Sequence, residues 1–128
     1  MKKVIGLFAV AMLLPIGFAK AEVTSKQVTL GVSEVYIPGG FGPETDAFVV
    51  VSGMFPNSCY RWSHAEVTDV GANVHEIRSM ARVSETMCLM VLVPYSKEVR
   101  LGQMNSGEHT LRFISGDGTY FERTMVIE

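Results

Sequence analysis

Residues 47–60 have the sequence Ala-Phe-Val-Val-Val-Ser-Gly-Met-Phe-Pro-Asn-Ser-Cys-Tyr, in which an apolar run, a turn and a cysteine follow one another. The run Ala47–Phe55 is rich in β-branched and aromatic residues, which favour extended backbone. Residues 56–58 are turn formers, because proline fixes φ and short polar side chains bond to nearby backbone. This stretch therefore predicts a strand that ends in a turn, with Cys59 near the start of the next strand.

Similar β-rich segments, separated by turn formers, extend in both directions from this stretch. We predict strands over Val28–Ile37, Ala47–Phe55, Trp62–Val70, Val74–Val83, Met87–Val93, Lys97–Leu101, Glu108–Ile114 and Thr119–Ile127. The segment 87–93 is the most apolar, and we expect it to be a central strand buried on both faces. Ser115-Gly116-Asp117-Gly118 is a strong hairpin signal between the last two strands.

Seven or eight short strands without helical periodicity predict an all-β fold. Parallel sheets need long crossover connections, usually helices, and none is apparent in this sequence. We therefore expect an antiparallel two-sheet sandwich of the immunoglobulin-like type, with a small closed barrel as the alternative.

The first 21 residues have the pattern of a secretory signal peptide. A basic start at residues 1–3 precedes an apolar segment at 4–18 and a small-x-small cleavage site at Ala19-Lys20-Ala21. The apolar segment is shorter than the roughly 20 residues that span a bilayer, and a retained anchor is the alternative. We expect residues 22–128 to form one β-sandwich domain that is periplasmic or secreted, without stable membrane insertion after cleavage.

The charge of the predicted mature domain argues against one class of partner. Cleavage removes three lysines and leaves eight basic against 13 acidic residues, so the net charge changes from −2 to −5. Nucleic-acid binding normally requires a basic patch, and none is visible. We therefore expect no nucleic-acid partner.

Cys59 and Cys88 are the only two cysteines. In an oxidising compartment their simplest fate is one disulfide. It would close a loop of about 30 residues and stabilise the fold by roughly 3–4 kcal/mol in the chain-entropy model. A metal thiolate and a nucleophile are the alternatives, although neither cysteine has a histidine within four positions.

Metal and catalytic motifs are weak. A blue-copper site needs histidine and methionine soon after the cysteine, but His109 lies 21 positions after Cys88. No Gly-x-Ser-x-Gly motif is present, and neither Ser63-His64 nor His75-Glu76 has a known catalytic spacing. We expect no enzyme, no cofactor and no bound metal.

Three aromatic residues are candidates for contact with a partner. Phe41 lies between glycines in the loop 38–43, where it is either an exposed contact or a plug for one end of the sandwich. Tyr60 and Trp62 alternate with Arg61, so one strand face is aromatic and serves either partner binding or core packing.

A resemblance to a known group of proteins rests on three segments. Residues 52–60 contain a Gly-x-x-Pro-Asn-x-Cys-Tyr pattern, residues 88–95 carry the second cysteine and end in Val-Pro-Tyr, and residues 104–111 resemble Leu-x-x-Gly-x-Tyr-x-Leu. These patterns resemble small exported bacterial immunoglobulin-like β-sandwich proteins of unassigned function. The resemblance implies fold and export. His109 replaces the tyrosine that makes a corner hydrogen bond to upstream backbone in related sandwiches, and a neutral imidazole could donate the same bond over a shorter reach.

These observations favour an exported, non-catalytic interaction module that contacts a protein or an envelope component through its end loops. One alternative is a small secreted inhibitor of a hydrolase, which a protruding loop at 38–43 would favour. Another is a metal-carrying or enzymatic periplasmic protein, which a concave pocket holding His64 and His75 would favour.

Overall fold

The computed structural model describes residues 25–128. This part of the chain is all β, and its strands are β1 (Ser25–Thr29), β2 (Glu34–Tyr36), β3 (Ala47–Phe55), β4 (Tyr60–Gly71), β5 (Val74–Ser84), β6 (Val93–Gly102), β7 (Gly107–Ile114) and β8 (Tyr120–Ile127). Within it, no helix has the length and apolar character needed to cross a membrane. The predicted signal peptide, and the predicted start of the domain at residue 22, lie outside the described residues.

The strands form two sheets, which confirms the predicted β-sandwich. The larger sheet is centred on β5, which pairs with β4 along one edge and with β1 and β7 along the other, and β8 extends it beyond β7. The smaller sheet has the order β2-β3-β6. The hairpin predicted at residues 115–118 joins β7 to β8, and the Ser115 N–H donates to the Thr119 carbonyl.

One pairing differs from the predicted antiparallel arrangement, because β5 and β7 run parallel, with Val74 opposite Thr110 and Arg78 opposite Ile114. A parallel pair requires a crossover connection, which is usually a helix. Here the connection from β5 to β7 contains β6, which is a strand of the other sheet, in place of a crossover helix. A two-layer fold therefore accommodates one parallel pair without any helix.

The first predicted strand, 28–37, is two strands in different sheets. β1 pairs with β5, whereas β2 pairs with β3. The chain changes sheets between Leu30, whose N–H donates to Ser79, and Ser33, whose N–H donates to Ser52. The backbone therefore stays hydrogen-bonded on both sides of the change, as buried polar groups require.

The core lies between the sheets and follows the two-residue period of the strands. Alternate residues of β5 from His75 to Val83 are buried, while their neighbours face outward. The largest core cluster consists of Phe41, Ala47, Val49, Val51, Ile77, Val99, Met104, Leu111, Phe113, Met125 and Ile127. A second cluster at the other end of β5 contains Leu30, Phe55, Ala81 and Tyr95.

The prediction of a buried central strand at 87–93 is wrong. Residues 85–92 form a connection between β5 and β6 that has no strand structure. The side chains of Met87, Leu89, Met90, Val91 and Leu92 are exposed. A short apolar run has no periodicity with which to distinguish a core strand from a surface loop.

Two of the three segments that carry the family resemblance meet in space at Gly53 and Tyr95, which are opposite each other on β3 and β6. The Tyr95 ring lies directly over Gly53, and a Cβ at position 53 would lie 2.5 Å from the tyrosine oxygen. In the turn that follows, the Asn57 side-chain oxygen accepts a hydrogen bond of 2.9 Å from the N–H of Cys59. Glycine and asparagine are thus required here by close packing and by turn geometry.

Candidate functional site

A disulfide closes one end of the sandwich. Cys59 and Cys88 are bonded with their Cα atoms 5.4 Å apart, which confirms the predicted bridge. Next to the bridge, the Ser58 N–H donates to the Leu89 carbonyl, and the Leu89 N–H donates to the Ser58 hydroxyl at 2.7 Å. The connection 85–92 is therefore fixed by the disulfide and by two hydrogen bonds between Ser58 and Leu89.

We call residues 85–92 the apolar loop. Met87 is fully exposed, and Met90 is 82% exposed. The other apolar side chains of the loop, Leu89, Val91 and Leu92, are each more than half exposed. Scattered apolar residues are normal on protein surfaces, whereas this loop exposes five of them within six consecutive positions.

An aromatic groove of about 570 Å³ begins where the apolar loop ends. It lies between the starts of β4 and β6, and its lining residues are Phe55, Tyr60, Arg61, Trp62, Val93, Pro94, Tyr95, Ser96 and Lys97. Ring centroids are 4.7 Å apart for Phe55 and Tyr95 and 6.0 Å apart for Trp62 and Tyr95. These distances are typical of interacting aromatic pairs, so the groove has a preformed aromatic floor.

Tyr95 anchors this floor. Its ring is buried, and its hydroxyl donates a hydrogen bond of 3.1 Å to the Gly31 carbonyl. Burial raises the pKa of the Tyr95 phenol above its ordinary value of 10.0, because the phenolate would lose its solvation. The hydroxyl is therefore a neutral donor that holds the ring between the two sheets.

The structure places the three aromatic candidates differently. Tyr60 and Trp62 are partly buried and line the groove, so they contribute both to packing and to an accessible surface. Phe41 is only 8% exposed and packs edge-to-face on Phe48 at 5.3 Å. The expectation of Phe41 as an exposed partner contact is therefore wrong, and its alternative role as an end plug agrees with the structure.

A buried histidine pair lies at the opposite end of β5 and lines a cavity of about 310 Å³. His75 Nδ1 is 2.5 Å from Asp69 Oδ1, and His75 Nε2 is 2.9 Å from His109 Nδ1. His109 Nε2 is 2.6 Å from the Asn105 carbonyl oxygen. The parallel β5–β7 pairing brings the two histidines together, because His75 is near the start of β5 and His109 near the start of β7.

One direction in this network follows from the chemistry of its partners. The Asn105 carbonyl can only accept a hydrogen bond, so His109 Nε2 donates to it.

Hydrogen bonds within the fold hold the two histidines in place. His109 donates to the backbone four residues upstream, as expected for its replacement of the corner tyrosine. All four ring nitrogens of His75 and His109 are used within the network.

The remaining titratable groups do not join this cavity. His64 is bonded to Ser63 at 2.8 Å and to Glu66 at 3.2 Å, and it does not line the cavity that holds His75. Residues 25–128 contain no group of three or more His, Cys, Asp or Glu side chains placed to hold a metal ion.

The disulfide and the two-sheet core define a small disulfide-bonded β-sandwich. The ORF11 beta-sandwich domain family model matches residues 49–127, more than half of the chain, so this chain belongs to that family. The matched region includes both cysteines, the groove and the histidine pair, but not Phe41. Comparison with curated proteins and with solved structures yields no match.

Sequence reasoning missed two features of the site. The sequence predicts a core strand over residues 87–93, where the structure has the apolar loop. The meeting of His75 and His109 depends on the parallel pair, for which the sequence carries no local signal. The only available hint was the replacement of the corner tyrosine by His109.

Proposed function

We propose that this domain is an exported, non-catalytic binding module, and that it contacts a protein of the cell envelope through the apolar loop and the adjoining groove. The observation that carries the proposal is the exposure of five large apolar side chains between residues 87 and 92. Exposing such a set to water is unfavourable, by roughly 25 cal/mol per Å² of apolar surface. Contact with a partner would recover this free energy.

The geometry of the loop supports a binding role. The Cys59–Cys88 disulfide and the Ser58–Leu89 hydrogen bonds hold the loop in one position before any partner arrives. A preordered surface loses less conformational entropy on binding than a flexible one. Methionine also suits such a surface, because its flexible thioether adapts to different partner shapes.

The alternatives have less support. An inhibitor acting through the loop 38–43 needs an exposed Phe41, and that ring is buried. An enzyme using a pocket with both His64 and His75 needs them to converge, and only His75 lines the cavity.

The proposal is tested with a double variant of the apolar loop. Met90 and Leu92 are 82% and 67% exposed, so Met90→Ser/Leu92→Ser is expected to change the free energy of unfolding by less than about 0.5 kcal/mol. Biotinylated wild-type and variant domains are incubated with envelope extract, and the retained proteins are compared. We expect at least one protein to be retained by the wild type and lost by the variant.

The matched control is Tyr36→Ser/Val126→Ser, which removes two exposed apolar side chains from β2 and β8. It is expected to retain the same protein as the wild type. Capture by all three domains alike, or by none of them, would contradict the proposal.

A further inference from the structure

The outer edge of β6 is open. β6 pairs with β3 along one side, and no other backbone within residues 25–128 bonds to it. Alternate residues of a strand direct their N–H and C=O groups to opposite sides, so β6 presents a row of these groups to solvent. Such an edge is a template for another extended chain.

The aromatic groove runs beside this edge. The smaller sheet ends at β6, whereas the larger sheet continues to β4. The inner-face side chains of Tyr60 and Trp62 therefore remain only partly covered. A strand added along β6 would lie over them and bury alternate side chains against the aromatic floor.

Lys97 gives the groove its charge. It is opposite Val51 on β3 and lies between Tyr95 and Val99, which are both buried, so its place in the strand is on the inner face. The side chain is nevertheless exposed and lines the groove together with Arg61. In the part of the chain that the structure describes, neither cation forms a salt bridge.

We propose that the groove binds an extended peptide segment of the partner protein, which adds to the outer edge of β6 and places a carboxylate against Lys97. This inference rests on the proposed function and specifies the chemistry of the partner. Main-chain hydrogen bonds along β6 supply affinity, and pockets for alternate side chains supply specificity. The ligand has apolar side chains at alternate positions, with an acidic residue among them.

The position of Lys97 explains the selectivity of this edge. An inward-pointing charge on an edge strand opposes pairing with an ordinary strand, because that strand would bury the charge without a partner. A strand with an acidic residue on the same face neutralises it. Lys97 therefore weakens the pairing of uncharged and basic strands relative to an acidic one, and this preference both limits aggregation and supports recognition.

Trp62 is the only tryptophan in the chain, so its fluorescence reports directly on the groove. The probe is a blocked nonapeptide in which valine and threonine alternate and glutamate replaces the central valine. A second peptide carries lysine at the centre, and a third is the glutamate peptide with N-methyl groups on its three central amides. We expect a saturable change in Trp62 emission with the glutamate peptide, binding roughly fivefold weaker with the lysine peptide, and none with the N-methylated one.

The variant Lys97→Glu is expected to reverse the order of the glutamate and lysine peptides. The control Arg100→Glu makes the same charge change on β6 at a side chain that is 84% exposed and outside the groove, and it should keep the wild-type order. Equal binding of the N-methylated peptide, or an order that Lys97→Glu leaves unchanged, would overturn the proposal. So would the absence of any emission change at about 1 mM peptide.

Trp62 emission also distinguishes the peptide from two other possible occupants of the groove. A change in Trp62 emission that depends on protein concentration and accompanies dimer formation in sedimentation would assign the groove to a second copy of the chain. A change with zwitterionic vesicles alone would assign it to a lipid surface. Either result would overturn the peptide proposal.

The experiment also separates this inference from the proposed function. The probe peptide covers the groove and not the apolar loop, so Met90→Ser/Leu92→Ser is expected to bind it like the wild type. Retention of an envelope protein that depends on the loop, without peptide binding, contradicts only the groove. Peptide binding without any loop-dependent retention contradicts only the role of the loop.

Discussion

The contact between Gly53 and Tyr95 predicts that Gly53→Ala destabilises the fold, although alanine normally suits a strand better than glycine. The new Cβ would lie 2.5 Å from the Tyr95 oxygen and 2.7 Å and 2.8 Å from two ring carbons. No Cβ tolerates such distances, so the ring must move. The ring is held by a stacked contact with Phe55 at 4.7 Å and by its hydrogen bond to Gly31.

The size of the destabilisation by Gly53→Ala follows from the interactions that the Tyr95 ring loses when it moves. The hydroxyl hydrogen bond contributes about 1 kcal/mol, and the aromatic contact contributes about 0.5–1.5 kcal/mol beyond burial. Overpacking of a filled site adds about 1–3 kcal/mol. Replacing glycine in a strand offsets about 0.5–1 kcal/mol of this, so the net loss in free energy of unfolding is about 1.5–5 kcal/mol.

Urea denaturation followed by Trp62 fluorescence measures this loss. Gly39→Ala is the control, because a Cβ at position 39 has no neighbour within 4 Å, and it should be nearly neutral. In a Tyr95→Leu background the obstructing ring is absent, so the cost of Gly53→Ala should largely disappear. A neutral or stabilising Gly53→Ala in the wild-type background would refute the close-packing explanation.

Two further predictions concern opposite ends of the domain. Replacing Cys59 and Cys88 together by alanine removes the bridge and should lower the free energy of unfolding by roughly 3 kcal/mol, seen in calorimetry as a lower Tm. An unchanged Tm would contradict a stabilising role for the disulfide. His109→Phe keeps an aromatic ring but deletes two buried hydrogen bonds, and should cost about 2–4 kcal/mol in urea denaturation.

A His109→Phe variant that is as stable as the wild type in urea denaturation would contradict the contribution of these hydrogen bonds to the fold.

Local composition was sufficient to predict most strands. Ala47–Phe55 has the predicted bounds, because β-branched residues continue up to a proline-containing turn. The predicted strand at 87–93 is wrong for a physical reason. The hydrophobicity of a segment shows that its burial is favourable, but it does not show whether the segment is buried in the core of its own domain. Here the disulfide holds an apolar segment outside the core.

The site was less predictable than the fold, because it depends on contacts between distant segments. Tyr60 and Trp62 were identified as an aromatic face, but the cationic role of Lys97 needed its register opposite Val51. The sequence leaves the burial of Phe41 open, because an aromatic side chain in a loop can either face solvent or pack against the core. In the structure its ring packs against Phe48.

The parallel pairing of β5 and β7 has a consequence for the folding of the domain. Val74 and its partner Thr110 are 36 positions apart in the sequence, and the strand between them, β6, belongs to the other sheet. Long-range pairing of this kind slows folding. Removal of β7 and β8 would leave half of one edge of β5 without a partner strand.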